Sequence, residues 1–314
     1  MKTKILGRTG LEVTIIGLGT IYIGSQPSGP SRDLDEEMGA QAVEAAIEAG
    51  CTLVDTAPLY GGTTVEKIVG NALRNRPDLA AKCTVVTKTG AYREGKDHSF
   101  DGTLRSVEAS LERLGLEQLD LVYIHDAMRV PMEDVMSKNG ALGALRRLQT
   151  EGVVRFIGSA SNDPPTNTPY IETGEFDAAV VPDAWSLLNQ EAAERILPAA
   201  EKYNIGISCA TPLEVGVLAT GPIPGRDYGR RQFSQECLDH VAKIQRLCQD
   251  YQIPLLAAAL QWCTRHPQVT TAIPGARTPE EAVENVKAAE LEIPEAFWDD
   301  LDPLVRHWEK GVHR

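Results

Sequence analysis

The sequence predicts an α/β protein of one domain, residues 1–314, folded as a closed (β/α)8 barrel. Three observations carry that prediction. Eight short apolar runs rich in Val and Ile recur along the chain, amphipathic helical patterns stand between them, and no complete glycine fingerprint of an open nucleotide-binding sheet follows the first run.

The runs are residues 13–18 (VTIIGL), 52–55 (TLVD), 83–87 (CTVVT), 119–124 (LDLVYI), 154–157 (VRFI), 178–181 (AAVV), 205–209 (IGISC) and 269–273 (VTTAI). Each is apolar on both faces, as parallel strands covered on both sides require. The stretch 36–49 spaces Met38, Ala42, Val43, Ala46 and Ile47 along one helical face, and residues 65–73, 103–114, 142–150 and 191–202 read the same way. Gly50, Gly115 and Gly152 stand where helices end. Two further helices, 235–250 and 254–265, fit between the seventh and eighth runs. Gly17-Leu18-Gly19 is followed by Thr20-Ile21-Tyr22, so the third glycine of a dinucleotide fingerprint is missing. The irregular stretches 25–33, 162–168 and 220–232 are expected as loops around a site mouth.

Bulk properties narrow the function. A net charge of -13 repels nucleic acid and anionic membranes, leaving a small molecule as the expected partner. No apolar run approaches the ~20 residues of a membrane helix, and the first residues lack a signal-peptide stretch. The six cysteines form no CxxC pair and the histidines no HExxH pattern, so no metal is expected. These features predict a cytoplasmic protein.

A barrel gathers its chemistry at the C-terminal strand ends. Run two ends in Asp55 with Tyr60 in the next loop, run three in Lys88, run four in His125-Asp126, run five in Gly158-Ser159-Ala160-Ser161-Asn162, and run eight in Pro274-Gly275. Asp55, Tyr60, Lys88 and His125 form a chemically coherent group. A phenol is a poor acid or base near neutral pH, and an adjacent ammonium such as Lys88 lowers its pKa. Asp55 holds that ammonium, and His125 hydrogen-bonds a substrate oxygen as negative charge develops there. None of the four is a nucleophile toward substrate, so the reading requires a hydride carrier.

At these residues the chain resembles the aldo-keto reductase family over nearly its whole length. Residues 6–13 resemble the family's opening β-hairpin, which caps the barrel floor. Asp55-Thr56-Ala57-Pro58-Leu59-Tyr60-Gly61, then Glu66 and Gly70, Val86-Thr87-Lys88, the strand ending in His125, Gly152 with Arg155, Ile157 and Gly158, and Ile273-Pro274-Gly275-Ala276 with Glu284-Asn285 match successive family motifs. The resemblance implies an NAD(P)-dependent oxidoreductase binding its cofactor across the barrel mouth. It implies backbone contacts from Thr20 and Ile21 near the nicotinamide and Asp55 at its ribose. It further implies Ser161 and Asn162 on the carboxamide, Leu213 and the following loop over the pyrophosphate, and Gly275, Arg277, Glu281 and Asn285 around the adenosine.

Three departures point within the family. The turn after strand five is one residue longer than usual, Pro182 and Asp183 stand where a glutamine is common, and Ala210 stands where an aromatic commonly stacks on the nicotinamide. With His125-Asp126 and Ile273–Arg277 these resemble the branch of D-threo-aldose, L-fucose and L-galactose dehydrogenases. Tyr22 and Trp185 are expected on the substrate wall, and Asp126 either caps a turn or binds a sugar hydroxyl. Arg277 suits a 2′-phosphate or adenine stacking, whereas a carboxylate at Glu281 repels phosphate, so NAD is favoured over NADP. The expected activity is aldose oxidation at C1 or reduction of another small carbonyl, by a monomer or weak homo-oligomer. The alternatives are a nucleotide-binding regulatory subunit with little turnover, and a barrel lyase or isomerase, for which no phosphate or metal site is visible.

Overall fold

An antiparallel hairpin opens the chain in the computed structural model, which describes residues 1–25, 33–228 and 231–308. Its strands are β1 (Thr3–Ile5) and β2 (Glu12–Thr14), paired with Lys4 opposite Val13. Eight parallel strands follow: β3 (Leu18–Gly19), β4 (Leu53–Asp55), β5 (Thr84–Thr89), β6 (Leu119–His125), β7 (Val154–Ala160), β8 (Ala178–Val181), β9 (Gly206–Cys209) and β10 (Val269–Ala272). Each pairs with its neighbour in sequence. The sheet then closes on itself, because Ile16 and Gly19 bridge in parallel to Ala272 and Gly275. The closing bonds run from Gly17 N–H to Ala272 O at 2.8 Å and from Gly19 N–H to Pro274 O at 2.9 Å. The chain is a (β/α)8 barrel with an N-terminal hairpin.

Seven of the eight apolar runs become the strands expected of them, within a few residues. The first run divides instead. Val13 and Thr14 belong to the hairpin, and the barrel strand proper is Leu18–Gly19. The physical reason is the closeness of the seam: a Cβ on Gly19 would meet the carbonyl oxygen of Ile273 at 2.7 Å. The strand crosses its partner where no side chain fits, so it is short.

The expected helices also form, as Glu36–Glu48, Thr64–Asn75, Phe100–Leu114, Ala141–Thr150, Ile196–Tyr203, Gln235–Asp250 and Leu255–Arg265. One expected loop does not. Residues 162–168 enter the helix Pro164–Glu172, whose N-cap Asp163 accepts from Thr166 N–H at 2.9 Å. Pro164 and Pro165 read as helix breakers, yet the first turn leaves its N–H groups unpaired anyway and tolerates them. Residues 26–32 and 229–230, within the other two expected loops, lie outside the described residues. No helix among the described residues is long and apolar enough to cross a membrane.

The barrel interior is filled rather than hollow. Leu53, Val86, Leu121, Tyr123, Val180 and Ile273 pack there with Leu6 and Val13 of the hairpin. Tyr123 is fully buried, and a Cβ on Gly158 of the adjacent strand would meet its ring at 2.3 Å. Glycine at 158 is therefore the complement of tyrosine at 123.

A buried carboxylate ties the outer layer to the strand that carries Lys88. Glu66 on the helix Thr64–Asn75 is fully buried. It accepts from Thr87 Oγ1 at 2.6 Å and from Arg113 Nε at 2.7 Å. Removing one partner of such a network strands the other in low dielectric. Glu66→Gln is expected to lower unfolding stability by about 3 kcal/mol, read as a shift in the urea midpoint. A change within experimental error would show that the network is not under load.

Candidate active site

Asp55 ends β4, Lys88 lies near the end of β5, and His125 ends β6. Tyr60 opens a 3-10 turn after β4, and Gly61 and Gly62 carry it through left-handed backbone at φ 56° and 59°. Parallel strand pairing brings these four side chains into one cavity of about 400 Å³, although 70 positions separate the first from the last. The Lys88 ammonium donates to Asp55 Oδ1 at 2.5 Å and to Thr56 O at 2.9 Å. It lies 4.8 Å from the Tyr60 ring centroid. Tyr60 and His125 meet edge-to-face with centroids 6.0 Å apart. Behind them, His98 Nε2 is 2.8 Å from the His125 carbonyl oxygen and props the end of β6.

Burial governs the charges. It works against the Lys88 ammonium, but Asp55 and Tyr60 outweigh it, and the Lys88 pKa stands above its usual value. Burial also raises Asp55, and Lys88 pulls it back. Tyr60 differs from expectation. Lys88 does draw its pKa down, but burial pushes harder and Asp55 adds to it, so the phenol is pushed up to about 12. Tyr60 is therefore protonated at neutral pH. Burial, with Lys88 next, drives His125 well below the usual imidazole range and keeps it neutral.

Of the remaining expected residues, Thr20, Ile21, Tyr22, Asn162, Leu213, Gly275, Arg277, Glu281 and Asn285 line the same cavity. Thr20 is anchored by its Oγ1 donating to Asp55 O at 2.8 Å. Arg277 lies 5.2 Å over the Tyr22 ring and 3.5 Å from Glu281 Oε1.

Three expectations change. Trp185 faces away from the mouth: its Nε1 donates to Cys263 O at 3.0 Å and its ring stacks on Trp262 at 4.8 Å. Four residues past the end of β8 the chain has turned, and the ring packs on the helix Leu255–Arg265. Ser161 is buried beside Asn162 and does not line the cavity. Asp126 does not line it either: of its two expected roles it takes the turn cap, its carboxylate oxygens accepting from the backbone and side-chain N–H groups of Asn162.

Other groups were not singled out from the sequence. Arg226 lines the cavity and donates to Thr220 Oγ1 at 3.3 Å. Its one sequence signal is a cation in a long strand-to-helix loop of an acidic protein. Arg231, buried, pairs with Asp183 and, at 3.2 Å, with Glu214 Oε2. Glu214 in turn accepts from Ser186 Oγ at 2.6 Å. This network pins the segment after β9 to the segment after β8. Within the segment after β9, Thr211, Glu214 and Val215 stand at positive φ of 57°, 44° and 49°.

The cavity's polar atoms fit a dinucleotide. Asp55 Oδ2 and Arg277 Nε are buried with no protein partner. One is an acceptor and the other a donor, and buried groups of this kind are normally satisfied. A ligand carrying ribose hydroxyls and phosphate or ring acceptors answers both. Among the described residues no group of three or more His, Cys, Asp or Glu is placed to hold a metal ion.

Comparison with known proteins agrees with this geometry. Residues 15–306 match the aldo/keto reductase family. The chain is 30% identical to a pyridoxal 4-dehydrogenase of Microbacterium luteolum, over 95% of this chain and 96% of that one. It is also 30% identical to a D-threo-aldose 1-dehydrogenase of Pseudomonas sp, over 93% and 94%. Its fold superposes on the holo form of an aldo-keto reductase from Bacillus halodurans with a TM-score of 0.80, at 23% identity, covering 98% of each chain.

The Lys88 shift has a measurable sign. Its folded pKa lies above the unfolded value of about 10.4. The native state therefore keeps a proton that the unfolded chain has lost, and the stability this contributes, complete below that pH, falls as pH rises toward the folded pKa. In that window, wild type is expected to lose about 1.4 kcal/mol per pH unit more than Lys88→Met, measured by urea melts from pH 9 upward. Parallel curves would mean that Lys88 is not held protonated.

Proposed function

The chain belongs to the aldo/keto reductase family and is an oxidoreductase; from that premise we propose that it is an NAD-dependent dehydrogenase oxidising an aldose at C1. We propose also that residues 1–314 act as one barrel domain, with Asp55, Tyr60, Lys88 and His125 as catalytic residues. The observation that carries the reading is the buried Lys88–Asp55 pair set against a protonated Tyr60 and a neutral His125.

Each group has a task suited to its state. His125 donates an N–H to the substrate oxygen and favours charge developing there. Tyr60 exchanges the proton with that oxygen, accepting it in oxidation and donating it in reduction. Lys88 stabilises the phenolate form that oxidation needs, and Asp55 holds Lys88 in place. A bound nicotinamide supplies the hydride chemistry. Asp55 Oδ2 is free to accept a ribose hydroxyl beside it.

Cofactor and substrate choice follow from the walls. Glu281 accepts the Arg277 backbone N–H at 2.8 Å and faces its guanidinium. A carboxylate here repels a 2′-phosphate and accepts ribose hydroxyls, which favours NAD. Pro182 and Ala210 line the cavity and bring no large ring over it, leaving width for a polyol. The D-threo-aldose 1-dehydrogenase relative supports that substrate class.

Absorbance at 340 nm should change when the protein is mixed with NAD and an aldose from a panel. Tyr60→Phe is expected to cut kcat by about 10³-fold while cofactor Kd holds. Lys88→Met should move the acid limb of the oxidation profile to higher pH, because loss of the cation raises the Tyr60 pKa further. Undiminished turnover in Tyr60→Phe sinks the catalytic assignment. Cofactor binding with no turnover on any substrate points instead to a regulatory subunit.

A further inference from the structure

We propose that Asp126 is a positioning residue that turns the carbonyl oxygen of the Asn162 amide toward the cofactor, so that the site selects for a carboxamide NH2 group. The inference rests on the proposed seating of nicotinamide beside Asn162.

Asp126 follows His125 directly and is buried. Its backbone is left-handed, at φ 50°, a conformation that Asp and Asn tolerate better than other side chains. Its N–H donates to Ala160 O at 2.7 Å, closing the end of β6 against the long turn after β7. Its two carboxylate oxygens are spent on one residue: Oδ1 accepts the Asn162 backbone N–H at 3.1 Å, and Oδ2 accepts the Asn162 side-chain N–H at 3.2 Å.

A carboxylate has acceptors only, so the NH2 end of the Asn162 amide must face it. The amide oxygen is then the end left for the ligand, and Asn162 lines the cavity. An isolated asparagine flips freely between offering a donor and offering an acceptor. Asp126 removes that choice. The same Oδ2 stands 3.8 Å from His125 Nε2, and His125 Nδ1 is buried without a partner.

The test exploits the chemistry of Asn in place of Asp. Asp126→Asn keeps the size and tolerates the backbone. Its oxygen satisfies the Asn162 backbone N–H, which leaves its NH2 facing the Asn162 side chain. The pairing that avoids donor against donor rotates the Asn162 amide and presents NH2 to the ligand. Affinities are to be measured by direct titration with NADH, with its reduced 3-acetylpyridine analogue, in which a methyl replaces the carboxamide NH2, and with ADP-ribose, which lacks the nicotinamide.

Wild type is expected to bind NADH about tenfold more tightly than the analogue. Asp126→Asn and Asn162→Ala should both lose that preference while ADP-ribose affinity stays unchanged. If Asp126→Asn melts too early to titrate, Asp126→Gly accommodates the same backbone and should lose the preference likewise. Retained preference in the Asp126 variants with loss in Asn162→Ala overturns the role of Asp126 and leaves the proposed function standing. No preference in wild type overturns the carboxamide contact and with it the role of Asp126. An equal loss for all three ligands marks Asp126 as a structural prop and also overturns the proposal.

Discussion

The ion pair between Lys88 and Asp55 is the constraint around which the mouth of the barrel is arranged. Two opposite charges sit almost wholly out of water, 2.5 Å apart. Removing such charges from solvent costs several kcal/mol each, and their attraction repays it only when geometry and further hydrogen bonds are good. The third partner is supplied by Thr56 O, and the strand carrying Lys88 is braced from behind by Thr87 on Glu66. Hydrophobic side chains of the same size would serve stability as well. What the pair adds is a cation of fixed position beside a phenol and an imidazole that burial has left neutral.

Burial and charge therefore act in opposite directions on Tyr60, and burial wins. Reasoning from the sequence captured the pull of Lys88 but not the depth of the cavity, which is a tertiary property. The same limit bears on Trp185 and Asp126. Trp185 lies four residues past β8 and Asp126 directly after β6, where sequence position says that a side chain is near the mouth but not which way it points. Trp185 turned into the helical layer, and Asp126 turned sideways to Asn162. Pro164 and Pro165 looked like loop residues because proline breaks helices everywhere except in their first turn.

What was legible had a periodic or positional cause. Parallel strands covered on both faces must be apolar throughout, so they stood out as short runs of Val and Ile. Their C-terminal ends then pointed to Asp55, Lys88 and His125, which the fold brings into one cavity. The first strand was legible only in part, since Gly19 is there to let two backbones approach and leaves almost no apolar signal. The Arg231 network was not legible at all. Its members come from three separate segments, and nothing in a linear pattern announces that Asp183, Glu214 and Arg231 meet.

The hairpin has a consequence for traffic. Leu6 and Val13 are fully buried among the interior residues of the barrel, so the hairpin closes that packed interior from below. With the interior filled, the cavity at the strand ends is reached from the C-terminal side of the strands. Whatever reacts beside Asp55, Lys88 and His125 therefore shares the C-terminal face of the barrel as its way in and out.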